Sequence, residues 1–218
     1  MIKAGKEIVI LATHPWEELE EVVRGIHLLK NPQIKPYANA EIRLEFMSWK
    51  DLYPLSLYLL KPQLDVHRRL RRLFLAEHGV DMFNLQGSIE FSLDGMERLI
   101  SPPLVEISEV DGGIPVLVDG LHRFRLAREE EIPIRVILVS GVPKELPVTC
   151  YPIGWDEVKV YDRVPKRALK RRYRFSTLAD VPSIPGLSLG QDLDSHYILF
   201  RELVGLGSGL VRPAGGRE

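Results

Sequence analysis

The chain contains a single cysteine, Cys150, so no disulfide can form within it. A lone cysteine suits a reducing compartment, and its ordinary role is that of a small buried apolar residue. Long hydrophobic runs are absent as well, since no segment approaches the length of a membrane span and the start of the chain has no signal-peptide pattern. We therefore expect a cytoplasmic protein without a membrane partner.

Neither sign of charge predominates in this sequence. The 29 Lys and Arg residues and the 30 Asp and Glu residues leave a formal net charge of -1 at pH 7, which gives no overall attraction to nucleic acid or membranes. Internal repeats and zinc-ligand spacing are also absent. What is present is the composition of an ordinary globular protein, with 45% hydrophobic and 27% charged residues. Any basic binding surface must therefore be local.

Periodicity and turn residues divide the chain into three parts: a strand and helix region at 1–84, a core at 85–160 and a basic extension with a flexible tail at 161–218. The first part has strand-like runs at 7–12 and 42–47. Pro54 is expected to open a short helix, because proline is favoured in the first turn. A longer helix is predicted over 64–78, and its expected inward-facing residues are Val66, Leu70 and Leu73.

The middle part is rich in strand signals. Residues 89–93 alternate at period two and end at Asp94-Gly95, and the runs 104–108 and 114–118 flank Asp111-Gly112-Gly113 as in a hairpin. A helix over 121–131 and an apolar strand at 134–139 follow. Strands, hairpin, helix and strand in about fifty residues predict an α+β fold with a helical N-terminal region.

The most informative stretch is VLVDGLHRFRLA at 116–127. A strand that stops at glycine and continues directly into a helix directs free backbone N–H groups outward, and such groups bind anions. Gly120, Leu121, His122 and Arg123 are therefore predicted to bind phosphate, while Asp119 would hold Mg²⁺ or serve as a base. A simpler interpretation stays open, in which Asp119 caps its own helix and Arg123 forms a surface ion pair.

A second cluster of charge lies in the basic extension. Seven of the twelve residues 163–174 are Lys or Arg, without an acidic residue among them. Such a run is usually a solvated face of a helix. Because aromatic residues lie nearby, nucleic-acid binding stays an alternative for the patch formed by Lys170, Arg171 and Arg172. These cations would also be able to close over a nucleotide bound at Gly120–Arg123. The Ser195-His196 pair is a weaker candidate for a phosphate contact.

Segment 100–140 resembles the ParB/sulfiredoxin superfamily. Its Pro-Pro-Leu-Val-Glu strand, its hairpin, the VLVDGLHRFRLA turn and the closing PIRVILV follow the order of that superfamily, in which a Gly-x-His-Arg or Gly-Glu-Arg-Arg turn holds nucleotide phosphates. The resemblance implies a ParB/sulfiredoxin-like mixed sheet with a helix after the DGxHR turn.

Variants of this turn separate the activities within the superfamily. Sulfiredoxins have a reactive cysteine where this chain has Leu121, and plasmid-segregation ParB proteins have a Glu-Arg pair at Leu121 and His122. The nearest form is the Asp-Gly-His-His-Arg turn of the ADP-dependent free-serine kinases. By that resemblance Asp119 and His122 are catalytic and a glutamate elsewhere is the base. The nearby glutamates are Glu90, Glu97 and Glu106.

The expected function is binding of nucleotide phosphates, with phosphoryl transfer to a small-molecule acceptor or nucleotide hydrolysis. The resemblance implies Mg²⁺ with ATP, ADP or CTP, and Asp119 as the metal ligand. Two alternatives stay open: a nucleic-acid-binding or nuclease-like ParB relative that uses the patch Lys170–Arg172, and a nucleotide-gated regulator without turnover.

Overall fold

The computed structural model describes residues 8–27, 33–148, 150–166 and 169–174. Its helices and strands are, in chain order, β1 (Ile8–His14), α1 (Trp16–Gly25), β2 (Glu41–Met47), β3 (Tyr53–Pro54), β4 (Tyr58–Leu60), α2 (Lys61–His78), β5 (Ser88–Leu93), β6 (Met96–Ile100), β7 (Leu104–Ser108), β8 (Ile114–Leu117), α3 (Leu121–Glu130), β9 (Ile134–Ser140) and β10 (Lys159–Tyr161). This is an α+β fold, as predicted. Within the described ranges no helix has the length and apolar character needed to cross a membrane.

The largest sheet has five strands in the order β2-β9-β7-β8-β3. It is a mixed sheet: β2 and β8 run antiparallel to their neighbours β9 and β7, whereas β9 pairs with β7, and β3 with β8, in parallel. The second sheet is antiparallel, with the order β1-β5-β6, and the short strands β10 and β4 pair in parallel. Strands β1 and β2 thus pair with strands that lie far downstream in the chain.

Both faces of the five-stranded sheet are covered, and β9 shows this in its sequence. Val136 and Leu138 pack into one core with residues of α2 and α3, while Ile137 and Val139 pack into a second core with residues of α1. A strand buried on both faces has no polar alternation, which explains its nearly continuous apolar run. The result is a helix–sheet–helix arrangement in which α2 and α3 share one side.

Both predicted turns at Asp-Gly sequences are confirmed. Asp94 and Gly95 connect β5 to β6, and Gly112 and Gly113 connect β7 to β8 with positive φ angles of 82° and 78°. Glycine adopts this left-handed conformation without the Cβ clash that other residues suffer. Helix α3 begins at Leu121, directly after the glycine of the turn.

The short helix predicted at Pro54 is wrong. Tyr53–Pro54 form β3 at the edge of the five-stranded sheet, and a 3-10 helix lies earlier, at Trp49–Asp51, where Ser48 and Asp51 make a capping box. An edge strand tolerates proline because its free side needs no N–H donor. The inward orientation predicted for Val66 is also wrong, since this residue of α2 is 45% exposed.

Candidate functional site

A cavity of about 550 Å³ has the junction between β8 and α3 in its wall. The other walls come from β4 and the residues before it, from α2, from β5 and β6, and from the segments that contain Val164 and Lys170, so distant parts of the chain enclose it. Its charged and histidine lining residues are His67, Arg98, Asp119, His122, Arg123, Lys170 and Arg171. Apolar lining residues include Leu59, Leu70, Phe91 and Leu117. A cavity with apolar walls and a few convergent polar groups is the usual form of a small-molecule site.

Gly120 shapes the turn at the entrance to α3. It occupies the N-cap position with φ 95°, and a Cβ built on it would lie 2.5 Å from the Cβ of Pro103. The left-handed backbone and the close approach of Pro103 both require glycine here. The sequence predicts that Gly120 makes room for a phosphate. The structure shows that Pro103 already occupies the space that a Cβ at this position would need.

Arg123 and Asp119 form an ion pair beside this turn. The Arg123 guanidinium, 1% exposed, donates to the carboxylate of Asp119 at 3.3 Å and also donates to the backbone oxygen of Ser101. Burial raises the pKa of the Asp119 carboxyl, and Arg123, a Gly120 backbone hydrogen bond and Arg171 act against that rise. Arg123 is therefore a buried residue of the junction that also faces the cavity.

The simpler interpretation of the turn fails in two respects. The N-cap residue of α3 is Gly120 and has no side-chain capping hydrogen bond, so Asp119 is not the cap. Arg123 pairs with Asp119, but it does so in the interior and not on the surface. The turn opens onto the cavity, as the anion-binding interpretation requires, although its arginine already has two partners.

Two residues in the cavity wall have no signal in the sequence: His67 of α2 and Arg98 of β6. The His67 ring stacks on the His122 ring, with centroids 5.2 Å apart and 19° between the planes. Each of the three side chains has a buried nitrogen without a hydrogen-bond partner in the described structure, namely Nδ1 of His67, Nε2 of His122 and Nε of Arg98. Buried polar atoms are almost always paired, so three orphan nitrogens at one cavity indicate a missing partner.

The electrostatics of the cavity disfavour protonated histidine. Burial, together with Lys170 and Arg123, lowers the pKa of His122 to about 4. Burial, together with His122, Arg123 and Arg98, lowers the pKa of His67 to about 3. Loss of solvation and the neighbouring Arg171 lower the pKa of Lys170. The cavity is strongly positive, and an anion inside it would relieve the repulsion.

The segment 169–174 is held against the fold by its backbone. The Leu57 N–H donates to the Lys170 oxygen and the Tyr151 N–H to the Arg172 oxygen, both at 2.8 Å. Lys170 and Arg171 line the cavity, whereas Arg172 does not line it and pairs with Glu157. The predicted basic patch is thus divided between two surfaces. The Ser195-His196 pair and the predicted flexible tail lie outside the described residues.

Carboxylates are scarce at this site. Asp119 is the only acidic residue among the described residues that line the cavity, and Glu90, Glu97 and Glu106 do not line it. Glu106 is buried in the sheet instead and accepts a hydrogen bond of 2.8 Å from the Tyr37 hydroxyl. The described part of the chain holds no group of three or more potential metal ligands. Mg²⁺ does not need three protein ligands, because it is commonly bound by one carboxylate together with substrate phosphates. Asp119 would be able to supply that one carboxylate.

Comparison with known proteins identifies a family for this chain. The family model of the ParB CE domain matches residues 18–159, a range that contains α2, the Asp119–Arg123 turn and most of the cavity wall. No curated protein and no solved structure matches the chain.

Proposed function

This chain belongs to the ParB CE domain family, and we propose that its cavity binds the phosphate groups of a nucleotide. The observation that carries the proposal is the charge of the cavity: among its described lining residues, Arg98, Arg123, Lys170 and Arg171 stand against one carboxylate, that of Asp119. Because Arg123 pairs with Asp119, the cavity keeps an excess of positive charge that a ligand would balance. A phosphate chain supplies that charge together with oxygen acceptors for hydrogen bonds.

The proposed chemistry is phosphoryl transfer to a small-molecule acceptor, or hydrolysis of the nucleotide. Such reactions depend on positioning and on cations that stabilise charge at the phosphoryl oxygens. Arg98, Lys170 and Arg171 would supply the charge, and Asp119 would accept the proton of the attacking hydroxyl or water. Its raised pKa supports that role, because an efficient base has a pKa closer to neutrality than an ordinary aspartate. In the alternative role, Asp119 would hold Mg²⁺ carried in with ATP, ADP or CTP instead of acting as the base, and the ion would supply further charge stabilisation.

Calorimetric titration with ATP, ADP, CTP and GTP in the presence of Mg²⁺ tests binding. The Lys170→Gln variant is expected to bind roughly tenfold or more weakly, as for the loss of one charge-assisted hydrogen bond. Lys144→Gln is the matched control, because Lys144 is exposed and does not line the cavity. Failure of the unaltered protein to bind any nucleotide or polyphosphate would contradict the proposal.

Release or transfer of phosphate tests catalysis separately. We expect Asp119→Asn to retain nucleotide binding, since asparagine still accepts a hydrogen bond from Arg123, and to lose turnover. Equal turnover in Asp119→Asn would remove Asp119 from the reaction. Binding without any turnover in the unaltered protein would favour the nucleotide-gated regulator.

Nucleic-acid binding or a nuclease-like activity is the second candidate. Lys166 and Arg172 are exposed and do not line the cavity, so a phosphate backbone would be able to contact Lys166 and to compete with Glu157 for Arg172. Binding of this kind weakens steeply with added salt. A salt titration with single- and double-stranded nucleic acid distinguishes it from binding of a nucleotide in the cavity.

A further inference from the structure

His67 and Arg98 lie outside the turn that defines the proposed phosphate site, and His122 of that turn stacks on His67. We propose that His67 and Arg98, together with His122, form a subsite for one additional phosphoryl group, which makes the ligand a nucleoside di- or triphosphate. This inference rests on the proposed function, since it concerns the same cavity. It goes further by naming two residues outside the turn and by fixing the smallest number of phosphoryl groups in the ligand.

The geometry of the three side chains supports a single shared ligand. His67 lies on α2, His122 lies on α3 and Arg98 lies on β6, yet all three line the same cavity. The His67 and His122 rings are stacked in contact, and each of the three side chains has one buried nitrogen without a partner. Leaving a buried donor or acceptor unsatisfied is costly, and three such atoms around one cavity call for a polar ligand.

The charge around these residues makes that ligand an anion. His67 faces Arg98 and Arg123, and His122 faces Lys170 and Arg123. Arg171 lies beside Asp119, the one carboxylate among the described lining residues. A neutral imidazole carries one donor and one acceptor, whereas a protonated imidazole carries two donors. A phosphoryl group at this subsite would therefore bind best to a protonated ring.

Binding is consequently expected to be coupled to proton uptake. The surrounding cations and burial hold the pKa of both histidines well below the ordinary value when no anion is present. A bound anion raises the histidine pKa, so at intermediate pH the complex holds more protons than the free protein. Affinity must then fall as the pH rises through the histidine pKa of the complex. The terminal phosphate also titrates, but its contribution is common to all variants and cancels in comparisons.

Affinities for AMP, ADP and ATP test the subsite. In the unaltered protein we expect ADP and ATP to bind at least tenfold more tightly than AMP. His67→Gln and Arg98→Gln should each reduce that preference about tenfold, the loss typical of one hydrogen bond to a charged group. His14→Gln is the matched control, because this partly exposed histidine pairs with Glu18 and does not line the cavity.

Proton uptake is measured on the unaltered protein and does not depend on whether a variant folds. Calorimetry at about pH 6 in two buffers of different ionisation enthalpy counts the protons taken up with ADP, and NMR follows the histidine ring signals. We expect uptake with ADP that is reduced in His67→Gln, and a shift of the His67 and His122 signals to the protonated form.

The outcomes separate the two proposals. Absence of binding of every nucleotide overturns the nucleotide function itself. Tight binding with equal affinity for AMP, ADP and ATP, no proton uptake and no effect of His67→Gln overturns the subsite alone.

Discussion

The guanidinium of Arg123 donates to the carboxylate of Asp119 at 3.3 Å across one turn at the start of α3. The two charged side chains of the DGxHR turn are therefore paired with each other. The net positive charge of the cavity comes from Arg98, Lys170 and Arg171, which lie on other parts of the chain. The turn fixes the local geometry, and more distant residues supply the charge.

The pairing predicts that Arg123→Ala is primarily a stability variant. It leaves the Asp119 carboxylate and the Ser101 oxygen without their arginine partner in the interior, and breaking one half of a buried pair costs about 3–5 kcal/mol. Urea unfolding measures the loss. Arg125→Ala is the control on the same helix, because its partly exposed i,i+4 pair with Glu129 should contribute under about 1 kcal/mol. Equal unfolding midpoints for both variants would contradict the structural role of Arg123.

Gly120→Ala should destabilise the protein more than Gly112→Ala does. Both glycines have positive φ, 95° and 82°, so both variants bear the backbone cost of about 1–2 kcal/mol. A Cβ at Gly112 meets nothing within 4 Å, whereas a Cβ at Gly120 meets Pro103 at 2.5 Å. The difference between the losses of unfolding free energy in Gly120→Ala and Gly112→Ala therefore gives the cost of the clash with Pro103. Equal losses would show that the structure accommodates the new Cβ at position 120 without a measurable cost.

Glu106 is expected to contribute a loss of stability as the pH rises. Burial raises the pKa of this carboxyl to about 7, against the hydrogen bond from Tyr37 and the charge of Arg174. The folded state therefore retains a proton that the unfolded state has lost. Between the ordinary glutamate pKa and about 7 the contribution of Glu106 to the free energy of unfolding should fall by an amount on the order of 3 kcal/mol, whereas the lowered pKa values of His67 and His122 act in the opposite direction.

Unfolding at a series of pH values checks this expectation. Relative to the unaltered protein, Glu106→Gln should gain stability as the pH rises towards about 7, because glutamine still accepts the Tyr37 hydrogen bond and does not ionise. Glu109→Gln, at an exposed position three residues further along the chain, is the control and should leave the profile of the unaltered protein unchanged. A profile of Glu106→Gln that parallels the unaltered protein would contradict the raised pKa.

The basic residues of 163–174 lie on two surfaces, so nucleotide binding and nucleic-acid binding should respond to different substitutions. Lys170→Gln should weaken nucleotide binding, because Lys170 lines the cavity. The double variant Lys166→Gln with Arg172→Gln should leave nucleotide affinity unchanged and reduce the salt dependence of any nucleic-acid binding. Parallel titrations with ADP and with a labelled oligonucleotide measure both effects. Loss of nucleotide binding in the double variant would show that the two surfaces act as one.

Local signals predicted the local features well. Glycine in the hairpin and at position 120 indicates a backbone conformation that other residues rarely adopt. The turns at these glycines are therefore predicted correctly from the sequence. The apolar run at β9 likewise reports a strand buried on both faces. Pro54 was misinterpreted because proline suits both a helix start and an edge strand, and only the neighbouring strand β8 decides between them.

The α+β class, the two Asp-Gly turns and the strand–glycine–helix junction at Asp119–Arg123 are all predicted correctly from the sequence. Each of these depends on conformational preferences within a few residues. The burial of the Arg123–Asp119 pair, the stacking of His67 on His122, and the meeting of Arg98 and Lys170 at one cavity follow from the packing of the whole fold. His67, Arg98 and Lys170 are tens of positions away from the turn, and they reach it only because of how α2, β6 and the segment 169–174 pack, which local periodicity does not encode.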